Sequence, residues 1–271
     1  MQVTVTVKPT PHGGQLAYAA GMSTPHETFV ARRDEGFSQI SIIRDRNTGQ
    51  QVVCAEVAPD TEAQIVYEFA ARPGGKYPDV MFSPTPSRFT RAADALIADA
   101  KRIAAEAEDP TQAIAQHVST LFSYDHPTKR PFDDQDQIPR LCSVKSGSCV
   151  DINAYFMASL RAAGIECGYM LGYFIPDEKK NWCEDSHCWV VTREDGETRE
   201  WDIAHHLKMK VAKISPGLNP KPGFRLPIAH SMGLNLPELR LPELKLISQP
   251  LWVRDGALHE LDATFTVTEA A

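Results

Sequence analysis

The hydrophobic pattern of the chain changes its period near Ser87, which restricts the fold to a β-rich part followed by a mixed part. Before Ser87, short runs alternate apolar and polar residues, as in "VTVTVKPT", with turn signals such as Asn47-Thr48-Gly49 between them. This alternation is typical of half-buried strands, and several short strands at regular intervals indicate a sandwich. We therefore predict a small β-sandwich-like domain over residues 1–86.

Beyond this point the apolar residues follow a helical period. In "TRAADALIADAKRIAAEAE" they recur every three or four residues, which predicts an amphipathic helix. Asp109 is a good N-cap and Pro110 suits the first helical position, so the pair predicts a second helix. A polar loop over residues 124–145 follows, and then a strand-rich region over residues 167–207. We predict one mixed domain over residues 87–214.

The C-terminal segment, residues 215–271, is rich in proline. It contains the repeat "LPELR" and "LPELK", in which proline at every fifth residue prevents a continuous helix. We expect extended chain packed along the surface of the core, where it could also serve as a peptide-recognition ligand. The stretch "LWVRDGALHELDATFTV" predicts a final hairpin that turns at Asp255-Gly256.

Charge and composition limit the partners of the chain. Its net charge is −7 and its charges are scattered, whereas binding to nucleic acid requires a basic patch. No apolar run reaches the roughly eighteen residues of a membrane span, and the first residues lack the features of a secretory signal. We expect a cytoplasmic protein without nucleic-acid or membrane partners, whose six cysteines are thiols.

The stretch "GSCVDINAYFMASLRAAG", residues 147–164, places a cysteine where a helix begins. Ser148 is a good N-cap, Asp151 completes a capping box, and Gly164 is a natural helix end. Cys149 then lies in the first turn. There the positive end of the helix and its unpaired N–H groups favour a thiolate and can stabilise an oxyanion. The pattern alone leaves two interpretations open, a nucleophile and a buried structural cysteine.

A predicted hairpin supplies a histidine and an aspartate. "SHCWVVTREDGETREWDIAHH" contains two strand-like runs joined by Asp195-Gly196, a strong turn signal. With these residues as the loop, Asp202 faces Trp189, and His187 is its diagonal neighbour on the same face, roughly 7–8 Å away at the backbone. His187 can then act as a base for Cys149 while Asp202 fixes its tautomer. A one-residue bulge would separate the two side chains, and each can also be purely structural.

A metal cluster is the rival interpretation of the same region. Its candidate ligands are Cys183, His187, Cys188, His205 and His206. Zinc ligands normally come as closely spaced pairs, and the spacing of the two cysteines fits this poorly. Adjacent His205 and His206 point to opposite faces if they lie on a strand. We therefore expect neither a metal nor an organic cofactor.

Together these motifs resemble the transglutaminase-like (papain-superfamily) cysteine domain, in its bacterial type with an N-terminal β domain. The family pattern is G-x-C opening a helix, then R-x-x-G-I, an H-x-W strand and an aspartate after an aromatic. The chain has these in order, at residues 147–149, 161–165, 187–189 and 201–202. The resemblance covers roughly residues 90–207 and implies an α+β fold. Its papain-like core has the Cys149 helix packed on an antiparallel sheet that carries His187 and Asp202.

The resemblance also implies a Cys149, His187 and Asp202 triad in a cysteine-dependent acyl-transfer enzyme. Cys149 would attack a peptide or carboxamide carbonyl to give a thioester. Water resolves the thioester in a protease or amidase, and an amine resolves it in a transglutaminase. We expect hydrolysis, because excluding water requires a specialised acceptor channel. The alternative is a transglutaminase-like binding or scaffolding module without turnover.

Further candidates for oxyanion and substrate contacts lie near these motifs. They are Tyr124, Gly147, Ser148 and Trp189. The chain departs from the family pattern in two places. The histidine strand continues as "HCWVVTRE" without the usual acidic residue, and the aspartate is followed by Ile203. Both departures affect the expected substrate more than the triad.

Overall fold

A computed structural model describes residues 1–83, 85–181, 183, 186–218 and 220–269. The strands are β1 (Gln2–Val7), β2 (Gly14–Ala19), β3 (Thr28–Glu35), β4 (Phe37–Arg44), β5 (Gln51–Val57), β6 (Ala63–Ala70), β7 (Phe122–Tyr124), β8 (Lys145–Gly147), β9 (Glu166–Pro176), β10 (Ser186–Glu194), β11 (Glu197–Trp201), β12 (Gly223–His230), β13 (Leu234–Leu236), β14 (Leu241–Leu244), β15 (Leu251–Arg254), β16 (Ala257–His259) and β17 (Ala263–Thr268). The α-helices are α1 (Asp94–Ala105), α2 (Pro110–Thr120), α3 (Cys149–Ala162) and α4 (Ile203–Lys208). Helices and antiparallel sheets occur in one chain, which confirms the α+β class. Within the described residues, no helix has the length and apolar character needed to cross a membrane.

The chain divides into two compact units, each built from separate stretches. The first unit comprises Met1–Pro78, Leu171–His187 and Gly223–Ala271. The second comprises Asp79–Met170 and Cys188–Pro222. The predicted domains are instead continuous in the chain. Whether they fold independently within those limits stays a prediction.

Two antiparallel sheets form the β-rich part of the first unit. Their strand orders are β17-β1-β6-β3 and β16-β15-β2-β5-β4. In β1 the side chains of Val3, Val5 and Val7 are fully buried and their neighbours half-buried, as alternation at period two predicts. Strands β15 and β16 turn at Asp255 and Gly256, and β17 then pairs with β1. The predicted β-sandwich-like domain is thus present as two sheets, completed by strands from the C-terminal stretch.

Leucines of the proline-rich repeat pack into the core of the first unit. Leu236, Leu239 and Leu241 are buried and belong to the same apolar cluster as Ala17. A short 3-10 turn at Pro237–Leu239 and strand β14 replace a continuous extended chain. The apolar leucines are thus buried while Glu238, Arg240 and Glu243 stay exposed, and the predicted course of the whole segment along the core stays a prediction.

A buried histidine makes the stability of the first unit depend on pH. His230 is 7% exposed, and its Nδ1 lies 2.9 Å from the hydroxyl of Ser231. Burial lowers the pKa of His230 from 6.5 to about 4, although the Asp45 carboxylate acts in the opposite direction. The folded state therefore binds fewer protons than the unfolded state between these values. The stabilisation is present above about pH 6.5 and is lost as the pH falls towards 4.

We expect His230 to reduce the free energy of unfolding by about 3 kcal/mol between pH 7 and pH 4. His230→Gln should remove this part of the pH dependence, whereas the exposed His259→Gln should keep it. The measurement is the urea unfolding midpoint of the three proteins between pH 4 and pH 7. An equal loss of stability in the parent and in His230→Gln would contradict the assignment.

Helix α3 is the central helix of the second unit, where it contacts α1, α2 and α4. Its side chains from Cys149 to Leu160 are buried with one exception. Asp109 caps α2 by accepting the Gln112 N–H at 2.9 Å, with Pro110 as the first helical residue, so the predicted start is confirmed. In the same unit, β11 and β10 pair antiparallel. The arrangement confirms a cysteine-bearing helix beside an antiparallel sheet.

Candidate active site

Cys149 is the first residue of α3, as predicted. Ser148 is the N-cap in extended conformation, and the Asp151 carboxylate accepts from the Ser148 N–H and hydroxyl, both at 3.0 Å. These hydrogen bonds form the Asp151 side of the capping box and stabilise the first turn of the helix. At Gly147 an added Cβ would lie 3.1 Å from Phe122 and 3.2 Å from Asp151. A larger residue would therefore push against the turn that carries the thiol.

The backbone of Tyr124 lies beside the start of this helix. Strands β7 and β8 pair in parallel, and Tyr124 is in register with Gly147, two residues before Cys149. The Tyr124 hydroxyl lies 3.2 Å from Nε2 of His126, and the Lys208 amine lies 5.5 Å from the centre of its ring. Tyr124 is therefore near the helix start but already has a side-chain partner. Its role as an oxyanion donor stays a prediction.

One face of α3 holds the hairpin formed by β10 and β11. Asn153, one turn after Cys149, donates from Nδ2 to the Cys188 carbonyl at 2.9 Å and to the Cys188 sulfur at 3.4 Å. Further along, the Phe156 ring meets the Trp201 ring edge-on at 6.1 Å. Residues three and four apart share a helix face. Cys149 therefore lies on the face of α3 that carries the hairpin.

The hairpin has the predicted register. Glu194 faces Glu197, and the pairing runs without a shift to Val190 and Trp201. Trp201 is the last residue of β11, and Asp202 leaves the strand to become the N-cap of α4. The pairing thus stops one step before the predicted Asp202–Trp189 pair, because the chain turns into a helix there.

Asp202 is fully buried and is held by His205. One carboxylate oxygen accepts the His205 backbone N–H at 3.0 Å, and the other lies 2.7 Å from Nδ1 of the same residue. From the sequence, His205 is a candidate metal ligand only, because a strand is expected there. An aspartate followed three residues later by histidine at a helix start is the signal that would have indicated this contact. His205 is therefore a site residue that sequence reasoning missed.

The two histidines of α4 have different hydrogen-bond partners. Two ligands of a tetrahedral zinc lie roughly 3.4 Å apart, given metal–ligand distances near 2.1 Å. The 2.7 Å between Asp202 and His205 is instead a hydrogen-bond distance. His206 directs Nδ1 to the Asp202 carbonyl at 2.8 Å, and its Nε2 lies 3.3 Å from the Ser215 N–H. The two imidazoles therefore have separate hydrogen-bonding roles.

Cys188 provides a second thiol beside Cys149. Burial, together with the neighbouring Cys149, raises the pKa of Cys188 well above its ordinary value. Burial likewise raises the pKa of the Tyr169 hydroxyl, with Cys188 and Cys149 as further causes. Cys188 consequently stays protonated at neutral pH. Of the two thiols, only Cys149 has a helix N-terminus to stabilise its anion.

A guanidinium group lies at the start of α3. Nη1 of Arg130 donates to the Ser148 hydroxyl at 3.0 Å and lies 3.6 Å from the Asp151 carboxylate. The Arg130 side chain is 38% exposed, whereas Asp151 is fully buried. Arg130 therefore supplies a positive charge that solvent and ligands can reach, and it contacts Ser148, the residue that precedes Cys149.

The other predicted site residues on β10 are His187 and Trp189, both buried. The His187 ring lies 5.9 Å from the Phe174 ring, within the first unit. The Trp189 indole N–H has no hydrogen-bond partner in the part of the chain that the structure describes. Cys188 and Trp201 both contact side chains of α3. Cys188 follows His187 directly in the chain, and Trp201 directly precedes Asp202. The triad itself stays a prediction.

Comparison with known proteins relates the middle of the chain to a family. Residues 95–201 match the model of the transglutaminase-like superfamily, a range that ends one residue before Asp202. A solved structure described as a "Putative Cysteine Protease" from Cytophaga hutchinsonii is 12% identical, with a TM-score of 0.53 over 98% of this chain and 96% of that chain. The periplasmic domain of TgpA from Pseudomonas aeruginosa is 13% identical, with a TM-score of 0.38 over 79% and 90% of the two chains. No curated protein gives a match. The first likeness establishes a shared fold.

Proposed function

Because residues 95–201 match the model of the transglutaminase-like superfamily, we propose that the protein is a cysteine-dependent acyl-transfer enzyme acting on peptide or carboxamide bonds. The observation that carries the proposal is the position of Cys149. It is the first residue of a capped, buried helix, on the face that holds the hairpin bearing His187. The roles of His187 and Asp202 rest on their order in the sequence and on their neighbours' contacts with α3.

The chemistry requires one proton carrier and one nucleophile. In the first step His187 holds the thiol proton, and the Cys149 sulfur bonds to the carbonyl carbon of the substrate. His187 then gives the proton to the leaving nitrogen as the carbon–nitrogen bond breaks, which leaves a thioester. In the second step water loses a proton to His187 and attacks the thioester carbon, releasing the acid and restoring the thiol. An amine in place of water would give transamidation.

Two features at the start of α3 support the charges that this reaction develops. The first N–H groups of a helix have no intrahelical partner, so the Cys149 N–H is a candidate donor to the oxyanion. The helix end and the Arg130 guanidinium also add positive potential where the thiolate forms. Hydrolysis is the proposed outcome because water needs no dedicated acceptor site.

The rate of iodoacetamide alkylation of each cysteine, followed by peptide mass spectrometry, tests the proposal without a substrate. At about pH 6.5 we expect Cys149 to react at least tenfold faster than Cys142, the exposed reference thiol. Cys54 should be slow, since burial, with Glu238 adding to it, raises its pKa to about 11. His187→Ala should bring Cys149 close to the reference rate.

Two outcomes would favour the alternative of a binding or scaffolding module. One is a Cys149 no faster than Cys142 under acidic conditions in the parent protein. The other is a fast Cys149 whose rate does not change in His187→Ala, because the thiolate would then lack its proton acceptor. Thermal unfolding of the variant provides the control for intact structure.

A further inference from the structure

A cavity in the second unit is strongly basic. It has a volume of about 580 Å³ and is formed by the loop that leads from β7 to β8. Its basic side chains are Lys129, Arg130, Arg140 and Lys145, and no carboxylate occurs among the described residues that line it. The volume is in the range of cavities that hold small ligands or side chains. A cavity of this composition selects for negative charge.

The cavity is adjacent to the proposed nucleophile. Ser146 lines it and precedes Cys149 by three residues, so the two lie within about 10 Å, the greatest span of three residues. Arg130 connects the two regions more directly, because it lines the cavity and also donates to Ser148, the N-cap of the cysteine helix. A peptide in extended conformation covers this distance with about three residues.

Three of the four basic residues already have a carboxylate partner, since Lys129 lies 3.2 Å from Asp134 and Arg130 lies 3.6 Å from Asp151. Arg140 lies 3.3 Å from Asp99, which Arg102 also binds at 3.0 Å. Burial raises the pKa of Asp99, but hydrogen bonds from these two arginines lower it overall. One carboxylate thus serves two guanidinium groups, each of which has five N–H donors. The arginines of the cavity therefore retain N–H donors for a ligand.

We propose that this cavity binds an acidic side chain of the peptide or protein substrate, about three residues from the scissile bond. The proposal rests on the proposed function and adds a substrate class to it. Arginine forks bind carboxylates through paired hydrogen bonds, and the lysines add charge. The rest of the protein does not attract anions in general, since the whole chain has a net charge of −7. Specific affinity for an acidic peptide would therefore come from this local site.

Binding of labelled heptaglutamate and heptaglutamine to the full-length Cys149→Ala variant, read by fluorescence anisotropy, tests the proposal. We expect heptaglutamate to bind at least about tenfold more tightly, and to weaken with added salt. Adding Lys129→Gln and Lys145→Gln should raise the Kd about five- to tenfold, since each exposed ion pair contributes modestly. The matched control, Lys101→Gln with Lys213→Gln, removes two exposed lysines outside the cavity and should leave the Kd within about twofold.

Cys142 reports whether the peptide occupies the cavity. It lines the cavity, is exposed, and its sulfur lies 3.8 Å from Nη1 of Arg140. Saturating heptaglutamate should slow iodoacetamide alkylation of Cys142 by at least about threefold, and heptaglutamine should not. Alkylation of Cys54, in the first unit, should be unchanged by either peptide.

Three results would overturn the proposal: equal affinity for the two peptides, equal weakening in the control and cavity variants, or no protection of Cys142. Occupation of the cavity by inorganic phosphate without binding of heptaglutamate would also overturn it, since the site would then serve a free anion. These measurements use a protein without the Cys149 thiol. Failure of the acyl-transfer proposal in the alkylation experiment would thus leave the binding result unaffected, and the two failures are distinguishable.

Discussion

Replacing Cys149 with alanine is expected to lower turnover by at least about 10⁴-fold while the protein stays folded. The substitution removes the sulfur that would form the proposed thioester, so catalysis through that covalent route would end. The first turn of α3 does not depend on the sulfur, because Ser148 and Asp151 fix it. The side chain is 7% exposed and small, so little packing is lost.

A pool of proteome-derived peptides with blocked amines provides the measurement, with mass spectrometry of new termini as the readout. Cys54→Ala is the matched control, since it removes another buried thiol, in the apolar cluster of the first unit. It should lower stability slightly and keep the turnover of the parent. Full turnover in Cys149→Ala would show that another group performs the reaction, and the proposed nucleophile would then be wrong.

Replacing Asp202 with asparagine should lower turnover by about 10³- to 10⁴-fold with the fold retained. Asparagine is as good an N-cap as aspartate, so the His205 backbone N–H keeps its acceptor. The amide nitrogen, however, cannot accept a hydrogen bond from an imidazole N–H. A histidine oriented by this carboxylate would then lose its partner and adopt the wrong tautomer.

Because Asp202 also contacts His205, a second variant is needed to show through which histidine Asp202→Asn lowers turnover. His205→Gln removes the imidazole that lies 2.7 Å from the carboxylate and leaves Asp202 in place. We expect it to lower turnover by less than about tenfold, because the proposed base, His187, is unchanged. Profiles of kcat/KM against pH should keep the parent shape in His205→Gln and change in Asp202→Asn. Equal losses in both variants would mean that Asp202 acts only through His205 and the start of α4.

Local signals explain why much of the site was predictable from the sequence. The start of α3 at Cys149 follows from a capping box within four residues, and the Asp195-Gly196 turn sets the register of the hairpin by itself. Both interactions involve groups that are close in the chain. For the same reason Asp109 was enough to predict the start of α2.

The features that the sequence did not reveal depend on distant or competing interactions. The contact of Asp202 with His205 depends on where β11 ends, which period-two alternation does not specify. Leu236 and Leu241 are buried in the same apolar cluster as Ala17, which is more than two hundred residues away along the chain. The basic cavity is formed by a loop without hydrophobic periodicity, so no pattern indicates which of its side chains converge.

The pairing of β17 with β1 has a consequence during translation. Lys8 and Asp262, whose side chains form an ion pair at 2.7 Å beside these strands, are separated by 254 residues. At about 5–20 residues per second, one edge of β1 remains without its partner for roughly 10–50 s after it is made. An exposed strand edge is a template for pairing with other chains. The speed of the ribosome over the rest of the message therefore sets how long the nascent protein is open to aggregation.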